Sequence, residues 1–125
     1  MAREGGQPPK PAIVVLSAEA GPIETAVLAG AEEEGVPYVL DRVADDRSAT
    51  ALAKAAAARS PLGVGVGVDS RGHVCVHPDQ IPAPLAGLTA DAGDARAART
   101  LGHNAARIVV GLPLKPLASP GSHAR

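Results

Sequence analysis

The stretch Ala12-Ile13-Val14-Val15-Leu16 constrains the fold more than any other. It is continuously apolar and largely β-branched. A strand with one wet face would alternate, whereas an unbroken run belongs to a strand buried on both faces, in a parallel sheet covered by helices. Residues 1–10 carry Gly, Pro and charge without periodicity and are expected to form a flexible N-terminal tail.

Gly21-Pro22 opens a helix, with Pro22 suited to its first turn. Gly35 suits the left-handed position past its end, and Pro37 prevents the helix from resuming. At 100° per residue, Ile23, Val27, Gly30 and Glu34 share one side of this helix. Ala26, Ala29 and Glu33 lie on an adjacent flank, and Thr25 and Glu32 point away. The unexpected feature is Glu32-Glu33-Glu34. A helix C-terminus is the negative end of the macrodipole and favours Lys or Arg. Glu32 reads as a surface charge. Glu33 ends a strip of small residues over which another element could pack, and is the candidate for serving a cation or a partner's basic group. Ala26, Ala29, Gly30 and Glu33 form the candidate interface.

Tyr38-Val39-Leu40 reads as a second strand, and Ala-rich 45–60 as a helix stopped by Pro61. Gly63-Val64-Gly65-Val66-Gly67-Val68 alternates with period two, giving a strand with valines on one face and bare backbone on the other. The three glycines are expected to let a helix or a partner approach the sheet. Asp69-Ser70-Arg71-Gly72 has hairpin length, so His73–His77 should run antiparallel to the strand before it. Residues 81–84 read as loop and 85–89 as a short fifth strand. Asp91 or Asp94 can cap a last helix whose apolar face holds Leu101, Ala105, Ile108, Val109 and Leu112. The chain is expected to fray beyond Pro113. The fold expected is an α/β three-layer sandwich with a five-stranded, mostly parallel sheet, order 2-1-3-4-5, strand 4 antiparallel. One domain spans 11–115, and 116–125 form a flexible C-terminal tail.

Composition narrows the function. The chain of 125 residues has no Phe or Trp, and Tyr38 is its only aromatic residue, so stacking platforms for nucleic acid are missing. With 12 basic and 13 acidic residues and no basic stripe, neither nucleic acid nor an anionic membrane is an expected partner. One cysteine, no spanning apolar run and no signal-peptide core imply a cytoplasmic protein. The glycine run fails as a dinucleotide fingerprint, because Ser70 stands where the last Gly belongs and a hairpin follows instead of a helix. His73, Cys75 and His77 share a strand face, but the outer two lie about 13 Å apart at ~3.3 Å per residue, too far for one metal ion. Cys75 reads as a small buried hydrophobe beside half-exposed histidines. His103 and Arg107 share one helical face, toward solvent or a partner. No catalytic or cofactor-binding residue is assigned.

Three segments carry a family resemblance. Gly30-Ala31-Glu32-Glu33-Glu34-Gly35-Val36-Pro37-Tyr38 resembles the G-I-E-E-E-G-I-P-F run of the small subunit of diol and glycerol dehydratase reactivases. Arg59-Ser60-Pro61-Leu62 with Val74-Cys75-Val76-His77 resembles that family's S-P-L…V-V-H segment. Thr100-Leu101-Gly102-His103-Asn104-Ala105-Ala106-Arg107, leading to Gly111-Leu112-Pro113, resembles its T-G-N-N-A-A-R…G-I-P ending, with His103 in place of an Asn. The resemblance implies a fold similar to the dehydratase medium subunit. It implies a non-catalytic subunit of a chaperone-like factor, paired as α2β2 with a large ATPase subunit that handles ATP or ADP and Mg²⁺. Such a subunit exchanges with the medium subunit on the dehydratase large subunit, so that damaged adenosylcobalamin is released. In the family a glutamate of the E-E-E run helps complete the large subunit's metal site, and by position this is Glu33. Association with a bacterial microcompartment is compatible with such a system. Two alternatives stand beside this reading. Gly63–His77 looks equally like the dehydratase medium subunit, and a stand-alone α/β enzyme would use His73, Cys75 or His77.

Overall fold

The structure, a computed structural model, describes residues 11–80 and 86–117. Five strands, β1 (Ile13–Ser17), β2 (Tyr38–Arg42), β3 (Val64–Val68), β4 (Val74–Pro78) and β5 (Thr89–Ala90), form one sheet in the order β2-β1-β3-β4-β5. The β1 strand pairs parallel with β2 and β3, and β4 is antiparallel to both of its neighbours. Strand order and direction match the sequence expectation. Helices α1 (Pro22–Glu33) and α3 (Ala95–Val110) cover one face, and α2 (Ala49–Arg59) packs on the other.

Alternation along each strand sorts the core. Ile13, Val15, Val64, Val66, Val68, Val74 and Val76 meet Val27 of α1 and Ala98, Leu101, Ala105 and Ala106 of α3. On the opposite face, Val14 and Leu16 meet Leu52 and Ala56, and Cys75 meets Ala49 and Ala53. There α2 lies against bare strand backbone. A Cβ on Gly65 would fall 2.1 Å from the Ala57 nitrogen, and one on Gly67 would fall 2.2 Å from the Ala49 oxygen. The close approach expected of the glycine run therefore holds at these two positions. Gly63 differs: it precedes the strand at φ 71° and serves the turn into it.

The helix ends follow local chemistry. Ser48 accepts from the Ala51 amide at 3.1 Å to begin α2, and Asp94, not Asp91, accepts from the Ala97 amide at 2.9 Å to begin α3. The α1 helix ends through Gly35 at φ 77°, as expected.

Three sequence expectations are corrected. The fifth strand is only Thr89–Ala90, because a 3-10 turn takes Ala86–Leu88; Leu85 and the loop at 81–84 lie outside the described residues. Leu112 lies past the end of α3 and is exposed, since the left-handed Gly111 turns the chain away from the helix axis. The chain does not leave the fold at Pro113. Buried Asn104 holds the segment after α3 with a pair of hydrogen bonds: its Nδ2 donates to the Lys115 carbonyl at 2.9 Å and its Oδ1 accepts from the Lys115 amide at 2.7 Å. Leu117 then packs on the larger core cluster, inside the stretch expected to be tail. Residues 1–10 and 118–125 lie outside the described residues.

Candidate functional site

The acidic end of α1 meets a basic stripe on α3. The two helices touch through backbone: a Cβ on Gly30 would lie 2.1 Å from the Arg99 oxygen, and one on Gly102 would lie 2.1 Å from the Val27 oxygen. Gly30, part of the candidate interface, is therefore buried beneath the chain's own α3. This contact sets the register, so that Arg99, His103 and Arg107, spaced four apart, run past Glu33 and Glu34. Arg99 grips both Glu33 oxygens with its fork, its Nε 3.2 Å from Oε1 and its Nη2 in contact with Oε2. His103 bridges the two acids, with Nε2 2.7 Å from Glu33 Oε1 and Nδ1 2.7 Å from Glu34 Oε2. The Arg107 Nε donates to Glu34 Oε2 at 2.9 Å, and its Nη1 donates to the Pro113 carbonyl at 3.0 Å.

These contacts account for carboxylates at the wrong end of a helix: the compensating cations come from α3 instead of from α1 itself. His103 and Arg107 face these glutamates and not solvent, which corrects the sequence expectation. His103 and Arg107 hold the Glu34 carboxyl below the usual carboxylate range. Glu32 is exposed and accepts a hydrogen bond from the Tyr38 hydroxyl at 2.9 Å, an arrangement that raises the phenol's pKa. Glu33 is the more open of the two clasped acids, with 39% of its side chain exposed against 13% for Glu34. Ala26 and Ala29 are half-buried along an open groove between α1 and α3, together with Thr25, Ala95, Arg96 and Arg99. Sequence reasoning places His103 and Arg107 on one face and misses Arg99, although its four-residue spacing from His103 is the signal. What the sequence lacks is the register that sets the stripe against Glu33 and Glu34.

The other candidate residues have structural duties. Asp69 caps the β3–β4 turn, accepting from the Arg71 and His73 amides at 2.9 Å and contacting His73 Nδ1 at 2.9 Å. Burial pushes its pKa up, but these bonds outweigh burial and hold the carboxyl below its ordinary value. Cys75 is buried in the apolar layer under α2, and desolvation raises its thiol pKa, which keeps it protonated and a poor nucleophile. His77 is buried, not half-exposed; among the described residues its Nδ1 has no hydrogen-bond partner, and desolvation favours the neutral ring. Among the described residues no three His, Cys, Asp or Glu side chains gather around a common point suited to a metal ion. Also among the described residues, no helix is long and apolar enough to cross a membrane.

An α/β subunit whose two helices on one sheet face are clasped through Glu33, Glu34, Arg99, His103 and Arg107 is the class that fold and site define. The family model described as dehydratase medium subunit matches residues 10–115. The chain is 42% identical over 111 residues to the propanediol dehydratase-reactivating factor small subunit of Citrobacter freundii, covering 84% of this chain and 90% of the relative. It is 40% identical over 95 residues to the diol dehydratase-reactivating factor small subunit of Klebsiella michiganensis, covering 74% of each. Two solved structures share the fold at 34% identity. A glycerol dehydratase reactivase superposes with a TM-score of 0.75 over 84% of this chain and 96% of the other. A diol dehydratase-reactivating factor complexed with ADP and Mg²⁺ superposes with a TM-score of 0.74 over 86% and 99%. The chain belongs to the dehydratase medium subunit family and, within it, to the small subunits of dehydratase-reactivating factors.

Proposed function

We propose that this chain is the non-catalytic small subunit of a cytoplasmic, chaperone-like factor that reactivates an adenosylcobalamin-dependent diol or glycerol dehydratase. It pairs, two copies with two, with a large ATPase subunit, and exchanges with the dehydratase's medium subunit so that damaged cobalamin leaves. One observation carries the reading: a single architecture matches the medium-subunit model over 10–115 and the reactivating-factor small subunits over most of their length. Two subunits can trade places on one partner only if they present a common surface, and shared architecture supports that exchange.

Glu33 is proposed as the residue this chain lends to a Mg²⁺ ion held mainly by the large subunit, with Ala26 and Ala29 in the same contact. The donor fits that limited role. Mg²⁺ takes oxygen ligands, commonly one or two carboxylates alongside phosphates. A carboxylate offers about four acceptor positions; Arg99 and His103 fill those of Glu33 Oε1 and one of Oε2, so a cation would meet Oε2, where the Arg99 guanidinium now sits. The ion, when bound, supplies charge neutralisation for the nucleotide phosphates of the large subunit.

Co-purification with the large subunit tests the reading. Association should depend on Mg²⁺ and nucleotide, and Glu33→Gln should weaken it by about 1 to 3 kcal/mol, the scale of one charged contact. Unchanged affinity and metal occupancy would remove the role of Glu33. The description of the matching family model favours one competitor, the dehydratase medium subunit itself. Assembly with dehydratase subunits, cobalamin retained and the ATPase ignored, would replace the first reading with that one.

A further inference from the structure

The geometry points to Arg99 as an internal stand-in for the cation at Glu33: in the free subunit its guanidinium occupies Oε2, and it must leave before that oxygen can serve a partner. This inference rests on the proposed role of Glu33. The two oxygens are held differently. Oε1 is shared by Arg99 Nε and His103 Nε2, whereas among the described residues Oε2 is hydrogen-bonded by Arg99 Nη2 alone. His103 is enclosed, 13% exposed, and tied through its other nitrogen to Glu34, so it stays in place and keeps Oε1 oriented. The Arg99 side chain is 54% exposed and can swing into solvent. Its backbone need not follow, being fixed against Gly30. An exposed ion pair is weak, so the mask is easily lifted by a more strongly held cation. His103 is thus a positioning residue and Arg99 a competitor, on the same carboxylate.

The two roles predict opposite signs. The full chain is titrated against the large subunit with Mg²⁺ and ADP, and again with a chelator. Arg99→Gln is expected to tighten association about two- to fivefold in Mg²⁺, the scale of one exposed pair, and to leave the chelated affinity unchanged. Arg99→Lys keeps the charge but loses the fork and should tighten less; it also decides the matter if Arg99→Gln folds poorly. Lys54→Gln is the charge control, since Lys54 is exposed on α2, across the sheet from the clasp, and makes no ion pair among the described residues. Weaker or unchanged binding of Arg99→Gln in Mg²⁺ overturns the inference, and so does equal tightening by Lys54→Gln. If Glu33→Gln weakens association while Arg99→Gln fails to strengthen it, the mask alone falls. If Glu33→Gln has no effect, the role of Glu33 falls and the mask with it.

Discussion

Glu24 sits in the first turn of α1, where its charge suits the helix dipole, yet it is only 7% exposed. A buried carboxylate survives only if it is paired. Arg42 supplies the pair from the end of β2, with Nη2 3.2 Å from Oε2 and Nη1 in contact with Oε1, and Nη1 also donates to Ser17 Oγ at 3.1 Å. The hydrogen bond from Arg42, against the cost of burial, holds the Glu24 pKa below its ordinary value. A carboxylate with a depressed folded pKa contributes stability above its unfolded pKa of about 4.3 and loses it as pH falls through the lower folded value. Glu24→Gln should therefore cost about 1 to 3 kcal/mol near neutral pH, the range for a hydrogen bond to a charged group. The gap to wild type should close below about pH 4. Thermal denaturation across that range checks both signs; a gap that grows in acid would assign the stabilisation elsewhere. Nothing in the sequence around Glu24 marks it as buried, because an acid in a first helical turn is ordinary. Glu33 and Glu34 were legible as an anomaly, since their sign is wrong for their position. Their partners were not, because pairing across 66 or more residues needs the register of two helices.

Helix contact in this fold is made by backbone, and the sequence states this only indirectly. A core without Phe or Trp has to be thin, and Gly65, Gly67, Gly30 and Gly102 show how thin: at each, a single added carbon would meet main-chain atoms closer than real contacts allow. Such overlap cannot be relieved by turning a side chain, so helices must shift. Gly102→Ala is expected to cost about 1 to 3 kcal/mol, the usual cost of overpacking, despite the better helix propensity of Ala. Gly87→Ala, with nothing among the described residues within 4 Å of its added carbon, should be nearly neutral. Chemical denaturation of the pair distinguishes steric overlap from a general effect of replacing glycine. Equal losses would show that close helix approach is not what Gly102 provides. Period-two and period-3.6 patterns made most elements legible, and the unbroken apolar run of β1 pointed to a sheet covered on both faces. The fifth strand was misplaced for the opposite reason. Two residues carry no period, and the residues before them wind into a 3-10 turn.

At the scale of the molecule the two faces of the sheet are covered unequally, by a clasped pair of helices on one side and by α2 alone on the other. The paired side is also where the chain closes on itself after α3. Proline and glycine content made residues past 113 look like tail, and composition is a fair guide where no partner exists. Here the partner is Asn104, fully buried on α3, whose amide does for Lys115 what a neighbouring strand would do. Arg107 adds a second tie by donating to the Pro113 carbonyl while it holds Glu34, so the strap and the acidic clasp share a residue. Asn104→Ala removes both bonds to Lys115 and leaves space inside the helix layer. A loss of about 2 kcal/mol is expected, roughly two net hydrogen bonds. The Lys115 amide should lose its protection from hydrogen exchange, while amides of β1 and β3 lose protection only in proportion to the fall in global stability. Protection of Lys115 that survives the substitution would mean that the strap is held by Leu117 and Arg107 instead. If protection is lost together with affinity for the large subunit, the strap and the clasp form one surface, and the acidic end of α1 is presented only when the chain beyond α3 is in place.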